Sequence, residues 1–334
     1  MIKAKSAKLI GIREFKIDNI ELPNLKPEQV LLEVISCGIC SSEIPVYTGQ
    51  VIGTPGVSFR YKNYPADIGH EVVGKVIEKG SSVKNLNIGS IVTGLTYSGC
   101  GFSSHFIEDS NVLAVVPEEI QEKSHKYALG EPMMATTNIL NYMNVDFGDT
   151  VAVIGDGFMS LLLISALSYF PLKNLIVVGH HADRLNLAAK YGASLCINAK
   201  KEDAWETINE FTHGEGVDIS VEYAGTASSL RLAASICKAK QQAKLVLAAS
   251  YDNDLPFTIG NYLQNRAPII IPAYPNHSPN KLADLIRGLW AYSKGIFPMD
   301  ELITHEYQLK DVSLGLEDCM NRKSGFIKGI VIPN

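Results

Sequence analysis

The chain has 334 residues, more than one ordinary hydrophobic core accommodates, so two domains are expected. Its formal net charge of -5, without an Arg-and-aromatic stripe, argues against a nucleic-acid partner. The longest apolar run, around residues 159–167, is too short for a membrane span and contains Ser160 and Ser165.

The opening MIKAKSAKLIGIREF lacks the apolar core of a secretory signal, so a cytoplasmic protein with no membrane partner is expected. The first third reads as strands: EQVLLEVIS, HEVVGKVIE and SIVTGL are β-rich runs punctuated by Gly, Pro, Asn and Ser, without a helical period. From about residue 150 the pattern changes. VAVIG is a buried-type strand, and MSLLLISALSYF is a helix one short turn later. LIVVG, LCINA, VDISVEYAG and KLVLAAS then alternate as strands with the helices ADRLNLAAKYGA, DAWETINEFT and SSLRLAASICK. Such alternation predicts a doubly wound parallel sheet covered by helices on both faces. A further helix, SPNKLADLIRGLWAYSKG, opens a C-terminal stretch of short mixed elements.

The turn Gly155-Asp156-Gly157-Phe158-Met159-Ser160 lies between the first of these strands and its helix. Gly155 allows a tight turn, and Gly157 lets the backbone approach a pyrophosphate at the helix N-terminus. The third glycine of a dinucleotide fingerprint is replaced by the small Ser160. In NAD-binding folds an acid near the end of the second strand accepts the ribose hydroxyls. Here that strand ends at Gly179, followed by His180, His181 and Arg184. With no carboxylate at that place to repel a 2′-phosphate, the sequence favours NADP over NAD.

Six cysteines, Cys37, Cys40, Cys100, Cys196, Cys237 and Cys319, are scattered and form no secreted disulfide framework. Two of them stand in Cys37-Gly38-Ile39-Cys40-Ser41-Ser42-Glu43, at the end of a predicted strand. Gly69-His70-Glu71-Val72-Val73-Gly74 follows, and Gly130-Glu131-Pro132 comes later. Thiolate, imidazole and carboxylate suit a tetrahedral zinc, and three protein ligands with an open position define a catalytic one.

In order and spacing these motifs resemble the zinc-containing medium-chain dehydrogenase/reductase family, in its alcohol/polyol branch with sorbitol and threonine dehydrogenases. The resemblance runs over essentially the whole chain, including VEYAG and SGFIKGIVI. It implies a GroES-like β-rich catalytic domain of residues 1–130 and 276–334, and a Rossmann cofactor domain of residues 131–275. It further implies Cys40, rather than Cys37, as zinc thiolate, His70 as imidazole ligand and Glu71 as an inner-sphere or exchangeable ligand. Glu131 matches the Glu-Pro of the polyol branch, which makes it a fourth zinc ligand, direct or through water, and Ser42 matches the hydroxyl that takes the alcohol proton. Glu43 replaces the usual Asp as the acid behind the ligands, paired with Lys328. Lys328 also stands where the family places a base that touches the cofactor phosphate. Pro45 replaces a relay histidine, and the four-cysteine lobe of a structural zinc is missing, so one catalytic zinc per chain is expected. Tyr47, Phe59 and Tyr97, near the metal motifs, are candidates to line a pocket for a small alcohol or ketone. The family also implies a homodimer or homotetramer built through the cofactor domain.

Two other readings compete. A zinc-free reductase of the same superfamily, acting on activated double bonds or quinones, would need none of Cys40, His70 and Glu71. A thiol-redox or binding protein would use Cys37-x-x-Cys40 but leave the dinucleotide fold idle.

Overall fold

A computed structural model describes residues 2–51, 63–96, 101–121, 125–239, 242–251, 260–274 and 278–333. Phe59, Tyr97, Cys100 and the expected domain boundary at residue 276 lie outside the described residues. The chain divides into two compact units, Met1–Met134 with Asn280–Asn334, and Ala135–Pro279.

The first unit opens with the antiparallel pair β1 (Lys3–Gly11) and β2 (Glu14–Glu21). Next comes β3 (Gln29–Ile39), whose run of Val, Leu and Ile is apolar on both faces because the strand becomes the centre of a sheet. A 3-10 turn, Ser41–Glu43, leads into the single-turn helix α1 (Ile44–Tyr47), which Pro45 starts without losing a needed N–H. The strands β4 (Glu71–Lys79), β5 (Ile91–Leu95), β6 (His105–Asp109) and β7 (Leu113–Val115) follow, then the short helix α2 (Glu118–Gln121). The division falls within helix α3 (Gly130–Met143), and Glu131 is counted with the first unit.

In the second unit β8 (Thr150–Ile154), β9 (Asn174–Gly179), β10 (Leu195–Asn198), β11 (Ile219–Glu222), β12 (Lys244–Leu247) and β13 (Ile269–Pro272) are all parallel. Their order, β10-β9-β8-β11-β12-β13, is that of a doubly wound dinucleotide fold. Every residue of β8 is buried, as a central parallel strand requires. The connecting helices are α4 (Phe158–Leu167), α5 (Ala182–Lys190), α6 (Ala204–Phe211) and α7 (Ala227–Ser235). Only Met159 of α4 is not fully buried, which explains why its sequence is apolar all round. Two N-termini carry side-chain caps: Asp203 accepts N–H bonds at α6, and Thr226 with Ser229 forms a capping box at α7. The strand order reverses across β8, between β9 and β11, and such a switch point leaves a crevice at the strand C-termini.

The chain returns to the first unit through α8 (Lys281–Ser293), α9 (Met299–Leu302), β14 (Ile303–Gln308), α10 (Val312–Met320) and β15 (Lys328–Ile332). The completed sheet has the order β14-β15-β3-β4-β5-β7, with β6 also paired to β3. Its core gathers Leu32, Val34, Cys37, Ile39, Val72 and Phe102 with Val331 of the last strand. The β-rich and doubly wound character expected from the sequence is present. Among the described residues no helix is long and apolar enough to cross a membrane.

Gly69, two residues before β4, has φ +93, and a Cβ there would lie 2.8 Å from the Phe102 backbone nitrogen. Both strain and collision oppose any side chain, so Gly69→Ala should cost about 2 kcal/mol or more. The check is a urea titration, in which the midpoint should fall; an unmoved midpoint would show that the turn relaxes freely.

Candidate functional site

Three neighbouring strands deliver the site. In the sheet, β15 and β4 flank β3, with Ile39 opposite Gly329 and Gly38 opposite Glu71. The end of β3 and the starts of β4 and β15 therefore meet at one edge. Cys40 is the first residue past β3, still extended at φ -104, ψ 136. One ligand atom each from Cys40, His70 and Glu71 lies within 4.8 Å of the others.

Glu71 sits in space that only glycine leaves. A Cβ on Gly38 would fall 1.9 Å from Glu71 Oε2. Lys328 Nζ donates to Glu71 Oε1 at 2.6 Å, and the two residues are 4% and 1% exposed. Burial alone would lower the Lys328 ammonium, but the adjacent Glu71 charge outweighs it and drives the pKa up. Glu71 Oε2 is buried without a hydrogen-bond partner. A buried carboxylate oxygen of that kind, beside a thiol and an imidazole, fits a cation.

Glu43 is fully buried on the turn after β3. Its Oε1 accepts the Gly69 N–H at 2.5 Å and faces His70 Nδ1 at 2.9 Å. A carboxylate on Nδ1 fixes the ring and leaves Nε2 for a metal. Burial disfavours the imidazolium of His70, yet Glu43 and Cys40 outweigh it and raise the pKa well above the ordinary value. The expected Glu43–Lys328 pair is therefore corrected to two pairs, Glu43 with His70 and Lys328 with Glu71. Strand register is the reason: Glu43 turns back toward the residues before β4, whereas Lys328 enters beside β3 and faces the first residue of β4.

Ser42 Oγ donates to Cys40 Sγ at 3.1 Å, so its lone pairs remain open. Glu131, in the first turn of α3, stands outside the Cys40–His70–Glu71 group. It is close enough for charge to matter. Burial raises its carboxyl to about 7, with His70 opposing and Glu71 adding to the shift. Cys37 is buried in the hydrophobic core, where desolvation lifts its thiol pKa well above normal. Tyr47, expected near a pocket, is a core residue: its ring stacks on Phe15 and its hydroxyl donates to Glu317 Oε1 at 3.0 Å.

In the second unit, Gly155 turns the chain at φ +131 after β8, and its N–H donates to the Val178 carbonyl at 2.8 Å. Gly157 is the N-cap of α4 with no side-chain cap, and a Cβ there would meet nothing within 4 Å. The turn at Gly157 thus leaves room for a pyrophosphate to approach the start of α4, at Phe158 and Met159. Ser160, in the place of the third glycine, is buried, and its hydroxyl would be 3.2 Å from a Cβ on Gly155. The larger Ser side chain fits because position 155 has none.

The residue that motif reading passed over is Asp156. Its Oδ2 accepts the N–H groups of His180 at 2.7 Å and His181 at 2.8 Å, and faces His181 Nδ1 at 3.0 Å. Arg184 Nη1 lies 4.0 Å from Oδ1. Burial would raise this carboxyl, but the two backbone N–H bonds and the His181 ring prevail and lower it. The premise that no carboxylate stands at the end of the second strand is corrected, since Asp156 reaches it from the neighbouring turn. The available signal was an acid inside the glycine turn combined with a bare Gly179.

The chain matches two families in succession, described as alcohol dehydrogenase GroES-like domain over residues 26–130 and zinc-binding dehydrogenase over residues 160–291. It is 26% identical to a sorbitol dehydrogenase of Bacillus subtilis over 359 residues, covering 99% of this chain and 97% of that one. To the (R,R)-butanediol dehydrogenase of the same organism it is 27% identical over 362 residues, covering 99% and 100%. The crystal structure of an Escherichia coli oxidoreductase of unknown specificity superposes with a TM-score of 0.86 at 22% identity over the full length of both chains, and shows the same fold.

Removing the group that orients His70 should weaken metal binding without removing a ligand. For Glu43→Ala we expect zinc affinity to fall roughly 10- to 100-fold, read by competition with a chromophoric chelator. An affinity equal to that of the unaltered protein would contradict the orienting role.

Proposed function

We propose that this chain, which belongs to the zinc-type medium-chain alcohol dehydrogenase family, moves a hydride between a secondary alcohol and a nicotinamide cofactor. The observation that carries the reading is the cluster of Cys40, His70 and Glu71 around a buried carboxylate oxygen without a partner. Relatives named for sorbitol and butanediol, and the Glu131-Pro132 pair, support a polyol, sugar or cyclitol as the substrate class.

Cys40, His70 and Glu71 would hold one zinc per chain, with Glu131 nearby as an exchangeable fourth group. When bound, the metal supplies Lewis-acid polarisation of the alcohol oxygen, which lowers its pKa toward neutrality. The chain's own groups do the rest. Glu43 keeps the His70 ring in one orientation. Lys328 offsets the Glu71 charge, so the site tolerates a thiolate and a carboxylate together. Ser42 Oγ, held by the ligating sulfur, offers its lone pairs to the proton leaving the alcohol. With Pro45 where the family often has a relay histidine, that proton leaves through water, the cofactor ribose or another group. Gly155, Gly157 and the first turn of α4 would receive the pyrophosphate of a nicotinamide cofactor, which when bound would supply the hydride acceptor for conversion of the alcohol to a ketone.

The expected preference for NADP rests on Gly179 carrying no acid. Asp156 supplies one, and the choice of cofactor turns on that carboxylate. We further read the protein as a cytoplasmic homodimer or homotetramer. Support comes from β13, at the edge of the parallel sheet, with Ile269 and Ile270 47% and 42% exposed.

Against a zinc-free reductase stands the assembled ligand cluster, which reduction of enones would leave without use. Against a Cys37–Cys40 redox pair stands the burial of Cys37 with a raised pKa.

The test combines metal content with absorbance of the reduced nicotinamide over a panel of polyols and sugars. We expect one zinc per chain, loss of turnover by about a thousandfold or more in Cys40→Ser, and a mild effect in Cys37→Ser. A zinc-free preparation active on enones would overturn the reading.

A further inference from the structure

The doubly wound unit carries a carboxylate in an unusual place. In this fold an acid at the end of the second strand receives the adenosine ribose hydroxyls, and its charge repels a 2′-phosphate. Here that strand, β9, ends in Gly179, and a Cβ on Gly179 would lie 2.5 Å from Asp156 Oδ2. The Asp156 carboxylate thus occupies the volume where a side chain at position 179 would begin. It arrives from the glycine-rich turn after β8, the neighbouring strand.

The groups that would otherwise welcome a 2′-phosphate are turned onto this carboxylate. The backbone N–H groups of His180 and His181 both donate to Oδ2, the His181 ring faces both carboxylate oxygens, and the Arg184 guanidinium stands 4.0 Å from Oδ1. At 7% exposure Asp156 is shielded from bulk water, so its charge is little screened toward a group placed against the turn.

We propose that Asp156 is the cofactor-discriminating residue of this chain, taking from the glycine turn the part usually played by an acid on the second strand, and that it favours NAD(H) over NADP(H). The proposal rests on the dehydrogenase reading and deepens it. The negative charge meets a ribose 2′-hydroxyl as a hydrogen-bond acceptor and a 2′-phosphate as a like charge. Because the carboxylate also closes the β9–α5 turn, it keeps the amides and His181 from forming an anion pocket.

The experiment is calorimetric titration of the zinc-loaded protein with NADH and with NADPH, without alcohol or ketone, for the unaltered chain and for Asp156→Asn. Asn keeps an oxygen acceptor for the turn amides and removes the charge. The unaltered chain should bind NADH more tightly than NADPH, and D156N should shift the ratio of dissociation constants toward NADPH by about tenfold or more. A ratio unchanged by D156N, or an unaltered chain that binds NADPH as tightly as NADH, overturns the role of Asp156 and leaves the dehydrogenase reading standing. Failure of both nucleotides to bind the unaltered chain overturns both. If D156N does not fold, the preference of the unaltered chain still decides.

Discussion

Burying an ionised carboxylate costs several kcal/mol unless the protein surrounds it with opposite charge or N–H donors. Two that the first unit buries, Glu43 and Glu71, lie where β3, β4 and β15 meet, and much of the local architecture follows from how each is compensated. Glu71 needs Gly38 across the strand pair for room and Lys328 of the last strand for charge. Glu43 needs the Gly69 amide, exposed by a positive φ, and the His70 ring. Each carboxylate spends one oxygen on its partner and keeps the other without one. The outcome is a donor set of thiol, imidazole and carboxylate with its charges arranged for a cation.

This explains why the C-terminal strand belongs to the first unit although the second unit intervenes in sequence. Lys328 lies 257 residues from Glu71 along the chain, and β15 brings it beside β3 in antiparallel register. Remove that strand and the buried Glu71 charge has no counter-ion, a loss that typically costs about 3–5 kcal/mol. The second unit shows the same economy on a smaller scale. Asp156 is a buried carboxylate stabilised by two backbone amides and an imidazole, and it joins the turn after β8 to the turn after β9.

Local periodicity made the doubly wound unit legible. Its strands from β8 to β11 are short apolar runs, each followed by a helix, and chain order nearly dictates sheet order in such folds. The thiol, imidazole and carboxylate motifs were legible as a cluster for a related reason: Cys40 and the His70-Glu71 pair stand at strand ends. Motifs do not report register. Whether Lys328 faces Glu43 or Glu71 depends on which residues of β15, β3 and β4 stand opposite, and no pattern within any one strand carries that information. Tyr47 reads as a pocket residue by its nearness in sequence to Cys40, yet α1 turns it into the core toward Glu317. Asp156 was hidden because the glycines around it account for the motif by themselves. Its significance appears only when the bare end of β9 is placed beside it.

The central claim is that one cysteine, one histidine and a carboxylate from adjoining strand ends form a single metal centre. X-ray absorption at the zinc edge of the purified protein tests this most directly, because sulfur scatters distinctly from nitrogen and oxygen. The account predicts one sulfur per zinc at about 2.3 Å, with the remaining neighbours nitrogen or oxygen at roughly 2.0–2.2 Å. Two sulfurs per zinc would bring Cys37 or another cysteine into the shell and contradict it, as would a shell with no sulfur at all.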